Sequence, residues 1–571
     1  MAAALAACER TSVTPAAGAS PAAGASATAP RLQGLGESRF AVDTTVDAAR
    51  AFFRQGLQLA YAFDHAEAAR AFAAAAQLDP DCAICAWGEA YVAGPNINRP
   101  ERDALAAAQT HIRRALTLAA GASVRDRALI DAMARRLGVD PAHAAPAAAP
   151  TQPVTAAPPA SLCMAPAPRD ADPADVAYAQ AMAQVALDHP DDADVGTLHA
   201  EALLMLSPWS WWTAAGEAAS GTRAAIAELQ RVLRVTPDHA GALHFLIHAL
   251  EQSPMPEQAA DAAQRLPALV PSAAHLVHMP SHIWMRLGRY REASDANRAA
   301  LAADAALLRQ IEAQGFAPLS HSSHHLHFLW AAASLQGDGA AAIRAADEVA
   351  ALAARHDETF GGGNDYFLAL PLFARVRFAR WDEIDAVALP AGSSAYPRAV
   401  RHWALGMAQV RRGRVEAAAR ELAALEALIA DASLDGRLLK GIDELRSLLE
   451  IAAASLRGEV HLARRQWPQA LAAFARAVER EDALESEEPP PWALSTRLMQ
   501  ARALRLAGRA QDAERVLRAD LARYPANSWA LAALADSLTA RGRVTEAQAV
   551  RAQFVQAWGE APTAPLAAWI R

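Results

Sequence analysis

The sequence predicts an all-α chain, an α-solenoid of helix-turn-helix repeats, and three observations lead there. Two His-x-x-x-His pairs, His244 with His248 and His278 with His282, stand 34 residues apart, and Pro237 and Pro271 keep the same interval. Hydrophobic residues make up 53% of the chain and aromatics 6%, with alanine-rich stretches throughout, which favours helices and leaves little β-branched or aromatic material for strands. Two neighbouring segments also match directly: Gly508-Arg509 recurs as Gly542-Arg543, and Ala501 and Ala513 recur as Ala535 and Ala547, again 34 residues on.

A period of 34 is the length of a tetratricopeptide unit. In such an array each unit needs only its neighbours, so 571 residues do not have to divide into several globular domains. Residues 1–38 open with Leu5-Ala-Ala-Cys8, which resembles a bacterial lipobox, and continue as an Ala/Pro/Gly/Ser stretch. Read so, Cys8 is the lipidation candidate, the stretch is a flexible tether, and the protein belongs in the periplasm or cell envelope. If the lipobox is a chance match, the chain is cytoplasmic. The membrane is reached only through that anchor, because no run of 18 apolar residues without a charge occurs.

Residues 39–138 hold the N-terminal units. Gly56, Ala68, Phe72, Ala75 and Pro80 fall at the spacings of tetratricopeptide positions 8, 20, 24, 27 and 32. Cys82-Ala-Ile-Cys85 begins the next unit and is a disulfide candidate in an exported protein, or a pair of packed thiols in a reducing one. A zinc-thiolate site would need two more ligands, and the other two cysteines, Cys8 and Cys163, do not stand at matching spacing. Residues 139–172 are Ala/Pro-rich and read as a flexible insertion, since proline removes donors and clashes with the preceding turn. Central units span 173–360. In them Ser207-Pro-Trp-Ser-Trp-Trp212 reads as a loop between two helices, either a hydrophobic plug or one wall of a ligand pocket. C-terminal units span 361–571, registered on Gly406, Gly413 and Ala418 and on Gly458, Ala470, Phe474 and Ala477.

The net charge of −8 and the scattering of arginines over helix faces leave no electrostatic footprint for a nucleic acid. Neither a phosphate-binding glycine loop nor a Gly-x-Ser-x-Gly elbow is present.

Half of the 18 histidines lie between His244 and His327. With units starting at Ala240 and Ala274, His244 and His248 take positions 5 and 9, and His275, His278 and His282 take positions 2, 5 and 9. Anchoring the next unit on Gly337 and Ala342 puts His324 at position 2 and His327 at position 5. A spacing of four puts two imidazoles on one helix face, about 6 Å apart along the axis. Positions 2, 5, 9 and 12 line the concave groove of tetratricopeptide proteins, which implies an inward-facing strip. His244, His248, His275, His278, His282, His324 and His327 are therefore candidate ligands of one divalent metal, zinc or copper above all, with Glu201 as a carboxylate that completes the shell or serves as a base. His239, His321 and His325 fit the strip less well and are its neighbours.

Several segments together resemble a group of uncharacterised bacterial tetratricopeptide-repeat proteins: Asp79-Pro-Asp-Cys-Ala-Ile-Cys-Ala-Trp-Gly88 with Gly94-Pro-Asn96, His275-Leu-Val-His-Met-Pro-Ser-His-Ile283, His324-His-Leu-His-Phe-Leu329 and Glu488-Pro-Pro-Pro-Trp492. The resemblance covers the chain from about residue 40 and marks the same histidines. Members usually carry Tyr-x-Pro-His-Asn-x-His-Phe where this chain has Ser322-Ser-His-His-Leu-His-Phe328, so the tyrosine, proline and asparagine are lost. The resemblance implies the fold and supplies no reaction. The reading is thus an exported repeat protein with a histidine-lined, metal-binding groove. Its alternative is a scaffold that binds a protein or peptide partner in that groove without catalysis.

Overall fold

The computed structural model describes residues 29–140, 171–213, 215–315, 322–355, 364–439, 443–484, 488–492, 494–559, 561 and 563–570. Cys8, Cys163, His321 and nearly all of the Ala/Pro-rich insertion lie outside these residues. Among the described residues there are 25 α-helices and a single two-stranded antiparallel ladder, Leu438–Leu439 with Asp443–Glu444. No helix among them is long and apolar enough to cross a membrane.

Successive helices pair antiparallel, and the repeat positions explain how closely. Gly56, in helix Asp47–Tyr61, and Gly88, in helix Ala83–Ala93, both face the Phe72 ring of helix His65–Leu78. A Cβ at either glycine would stand 2.9 Å or 2.3 Å from that ring. Gly458 repeats the arrangement against Phe474, at 2.6 Å. The large aromatic of one helix therefore fits only where its neighbour has no side chain, which fixes the interhelical distance and register. Gly508 and Gly542 serve a different purpose: both turn the chain at positive φ, +76° and +73°, where a helix ends and its partner begins.

The array curls until distant units touch, and this positions the site. Tyr290 donates its hydroxyl to the Pro525 carbonyl at 2.8 Å, and the Trp529 indole donates to the Ser334 carbonyl at 2.9 Å, so the C-terminal units close over the central ones. From the other end, residues 30–36 are not a free tether. Leu35 is buried, Ser272 donates its N–H to the Gly34 carbonyl at 2.9 Å, and Gln58 donates its amide to the Leu35 carbonyl at 3.2 Å. The concave face that the repeat pattern predicts is consequently an interior.

Candidate metal centre

The histidines stand on four short helical stretches. Helix Ala240–Glu251 carries His244 and His248, helix Ala274–His278 carries His275 and His278, helix Pro280–Arg286 carries His282, and helix Ser322–Gln336 carries His324, His325 and His327. Relative exposures of these eight residues run from 0 to 7%. The strip that the sequence places on a groove surface is thus sealed. Phe63, at the turn after the first helix, covers His244, His248 and His275 with ring centroids 4.6, 5.4 and 5.2 Å away. Phe328 covers His278, His282 and His324 in the same manner, at 4.7, 4.4 and 5.0 Å. The tryptophan loop packs as a plug: Trp211 and Trp212 bury their indoles and donate to the Leu204 and Ala249 carbonyls, and Trp209 lies edge-on against His248 at 5.3 Å.

Six of the seven candidate ligands fall into two groups instead of one. His244, His248 and His275 each bring a ring nitrogen within 4.8 Å of the other two, and His278, His282 and His324 do the same. The groups adjoin, with the His248 and His282 rings 6.1 Å apart and the His275 and His278 rings 6.0 Å apart. His327 belongs to neither group. It stacks on Trp330 at 5.5 Å and faces Tyr366 and Phe367 of the next helix, about 4.5 Å further along the helix axis than His324.

Hydrogen bonds on the outer nitrogens decide where the inner lone pairs point. His244 Nδ1 donates to the Tyr61 carbonyl at 2.6 Å, and His248 Nδ1 donates to Glu251 Oε1 at 3.0 Å. Asn297 spends its amide N–H on the Ala293 carbonyl, which leaves its oxygen to accept from His278 Nδ1 at 2.7 Å. His282 Nδ1 lies between two carboxylates, 2.9 Å from Glu251 Oε2 and 3.1 Å from Glu488 Oε2. Each of these four rings thereby turns Nε2 toward the centre of its group. There the nitrogens come close: His244 Nε2 is 3.1 Å from His275 Nε2, and His278 Nε2 is 3.0 Å from His282 Nε2.

Burial holds His244, His275 and His278 well below the ordinary imidazole value, with neighbouring rings reinforcing the effect, so these three rings are neutral at physiological pH. Glu251 is affected in opposite directions. Burial pushes its carboxyl up, but His282 and His248 pull it well below the usual range and win. Glu488 is raised, because burial there outweighs the His282 contact.

Glu201 does not join the histidines. Its carboxylate accepts the Tyr91 hydroxyl at 2.8 Å, near the buried Arg136–Asp175 pair, and burial raises it. The carboxylates at the centre are Glu251 and Glu488, neither of which the repeat pattern singles out as a ligand. Glu251 had a legible signal, standing three residues after His248 on the same helix face. Glu488 had none beyond its Pro-Pro-Pro-Trp context, since a contact 206 residues away from His282 leaves no trace in spacing. His239 and His325 remain neighbours: His239 pairs with Asp194 at 3.0 Å, and the His325 ring lies 4.9 Å from His278. The Cys82 and Cys85 sulfurs stand 2.08 Å apart as a disulfide at the start of helix Ala83–Ala93.

Fold and site together define an all-α helical-repeat protein of tetratricopeptide type with a buried histidine centre. No protein-family model matches the chain, and no curated protein matches it either. Among solved structures it is similar to a human IFIT1 dimer with m7Gppp-AAAA, at 12% identity and a TM-score of 0.29, over 91% of this chain and 92% of that one. It is also similar to the Naa15/Naa10 complex bound to HypK-THB, at 14% identity and a TM-score of 0.23, over 91% and 65% of the two chains. The APC/C hetero-tetramer Cut9–Hcn1 gives 11% and 0.26 over 91% and 83%. Likenesses at this level carry no argument about function, which rests on the chain's own residues.

Proposed function

We propose that this protein is a metal-binding repeat protein of the cell envelope, which holds divalent transition-metal ions, zinc or copper, in its two trihistidine groups. The observation that carries the reading is the outer hydrogen-bond pattern: four of the six histidines donate Nδ1–H to a carbonyl or carboxylate and aim Nε2 inward. Metal-binding histidines usually show this second partner, which selects the tautomer and orients the ring. The inner spacing fits as well. With zinc–nitrogen bonds of about 2.0–2.1 Å, two nitrogens of a tetrahedral site stand about 3.3–3.4 Å apart, close to the 3.0 and 3.1 Å found between the facing Nε2 atoms.

Three imidazoles with a fourth position for water is the ligand count of a catalytic zinc site, and Glu251 and Glu488 stand beside it. No reaction is assigned. Export and a lipid anchor on Cys8 belong to the same proposal, supported by the Leu-Ala-Ala-Cys8 segment and by a Cys82–Cys85 disulfide, which suits an oxidising compartment.

Elemental analysis of untagged protein, saturated with zinc or copper and then desalted, tests the reading. Two ions per chain are expected, one for each group. Protein that retains neither metal would sink the proposal. The scaffold reading draws on the repeat fold itself, and the burial of the histidine strip would place a peptide partner on another face.

A further inference from the structure

The two trihistidine groups repeat one arrangement. In the first, the His244 ring lies 4.6 Å from His248 and 4.9 Å from His275, and His248 and His275 stand 5.9 Å apart. In the second, the His278 ring lies 4.6 Å from His324 and 4.9 Å from His282, and His324 and His282 stand 5.9 Å apart. The contact between facing Nε2 atoms recurs as well, at 3.1 and 3.0 Å. The same ligands at the same spacings select the same ion in both groups.

No partition separates the groups. Carbon atoms in contact stand about 3.5–4.0 Å apart, so a side chain inserted between two rings would hold them roughly 7–8 Å apart. The His248 and His282 rings are 6.1 Å apart and the His275 and His278 rings 6.0 Å. The ligands then decide between the two candidate metals. Histidine binds metal as a neutral donor, so two divalent ions would carry four positive charges into an interior where the ligands are 0 to 7% exposed, and buried charge is costly. Copper can halve that charge and zinc cannot, because the cuprous ion is monovalent and three imidazoles satisfy it without a fourth ligand. Phe63 and Phe328 cover the two groups with apolar rings, which exclude water and any bulky substrate. A pair of cuprous ions is a two-electron reductant, and a small apolar gas is the reactant such a cover admits.

We propose that the two groups form one binuclear copper centre that binds dioxygen reversibly between its ions. Each cuprous ion gives one electron and becomes cupric, dioxygen takes both electrons and becomes peroxide, and copper–oxygen bonds form while the O–O single bond survives. No proton moves and no group leaves. The two negative charges on peroxide offset the two positive charges that copper gains, and release returns both electrons. By keeping water out, Phe63 and Phe328 prevent the protonation that would discharge the ligand as hydrogen peroxide. This inference rests on both groups holding ions, as proposed above.

Metal-free full-length protein is loaded with cuprous copper under argon, desalted, and exposed to air and argon in turn. Two copper ions per chain are expected, with one dioxygen taken up for every two ions and a near-ultraviolet charge-transfer band that appears in air and fades under argon. The oxygenated form should give no copper signal in electron paramagnetic resonance, because the two cupric spins cancel through the bridge. His244→Ala with His275→Ala should retain one ion, bind no oxygen reversibly and, once oxidised, show the signal of one isolated cupric ion. His278→Ala with His282→Ala empties the other group and should behave alike, so either variant serves if the other fails to fold. Loss of copper and zinc alike on desalting would overturn the metal reading and this one together. Retention of zinc but not of copper, two copper ions without oxygen uptake, an oxygenated form with the full signal of two isolated ions, or reversible uptake by a one-group variant would overturn this proposal alone.

Discussion

Glu251→Gln is the most incisive perturbation of the histidine centre, because one side chain serves both groups. Its Oε1 takes the His248 Nδ1 proton at 3.0 Å, and its Oε2 lies 2.9 Å from His282 Nδ1. Glutamine has nearly the same shape but only one acceptor. The amide oxygen can keep one of the two histidines, while the amide nitrogen confronts the other with a second donor. If that histidine is His248, it must release its Nδ1 proton and protonate Nε2 instead, which removes the lone pair aimed at the group centre; if it is His282, its ring is left to Glu488 alone and loses one of the two carboxylates that orient it. Loss of an outer partner typically lowers metal affinity about 10–100-fold, or about 1.4–2.7 kcal/mol. Wild-type protein should therefore show two tight binding events in a chelator competition, and Glu251→Gln should show one of them weakened by that factor with the other closer to wild type. Helical circular dichroism guards against unfolding. If both events keep their wild-type affinity, Glu251 does not orient these rings and the two-group reading fails.

Other outcomes follow from the same geometry. Substituting both His278→Ala and His282→Ala should remove about one bound ion per chain, read by elemental analysis, while the far-ultraviolet spectrum stays helical because repeat stability is spread over many neighbour interfaces. Glu481 supplies a pH test. Its folded value, near 7, lies above the ordinary 4.5, so the folded state binds the extra proton between those values, and the stability this contributes is present at low pH and lost as pH rises through 7. Urea denaturation at about pH 5 and about pH 8 should accordingly show Glu481→Gln gaining stability relative to wild type at the higher pH; a difference that does not change with pH would refute the assignment. For the compartment, thiol counting on protein exported behind a fused lipoprotein signal should find Cys82 and Cys85 blocked, and labelled fatty acid should be lost with Cys8→Ser. Free thiols together with an unlabelled product would return the protein to the cytoplasm.

Much of this protein is legible in one dimension because a repeat is a local object. Gly56, Phe72 and Pro80, or Gly508 and Gly542, meet only their own unit or the next, so their spacing alone carries the helix pairs and the period. The same locality brought His244, His248, His275, His278, His282 and His324 to one inward face. It could not say that the face is closed. Closure comes from Tyr290 meeting Pro525 and from Glu488 meeting His282, contacts 235 and 206 residues apart that depend on how far each small rotation between units accumulates. For the same reason Glu201, in phase with the strip, pairs with Tyr91, while Glu488, outside any register, reaches the histidines. The sequence by itself determined the fold class, the phase of the repeat and the inward aim of the imidazoles. Tertiary structure alone decided that these rings are buried, that they divide into two groups, and which carboxylates stand behind them, since burial and charge pairing depend on the sum of all the turns and not on any one of them.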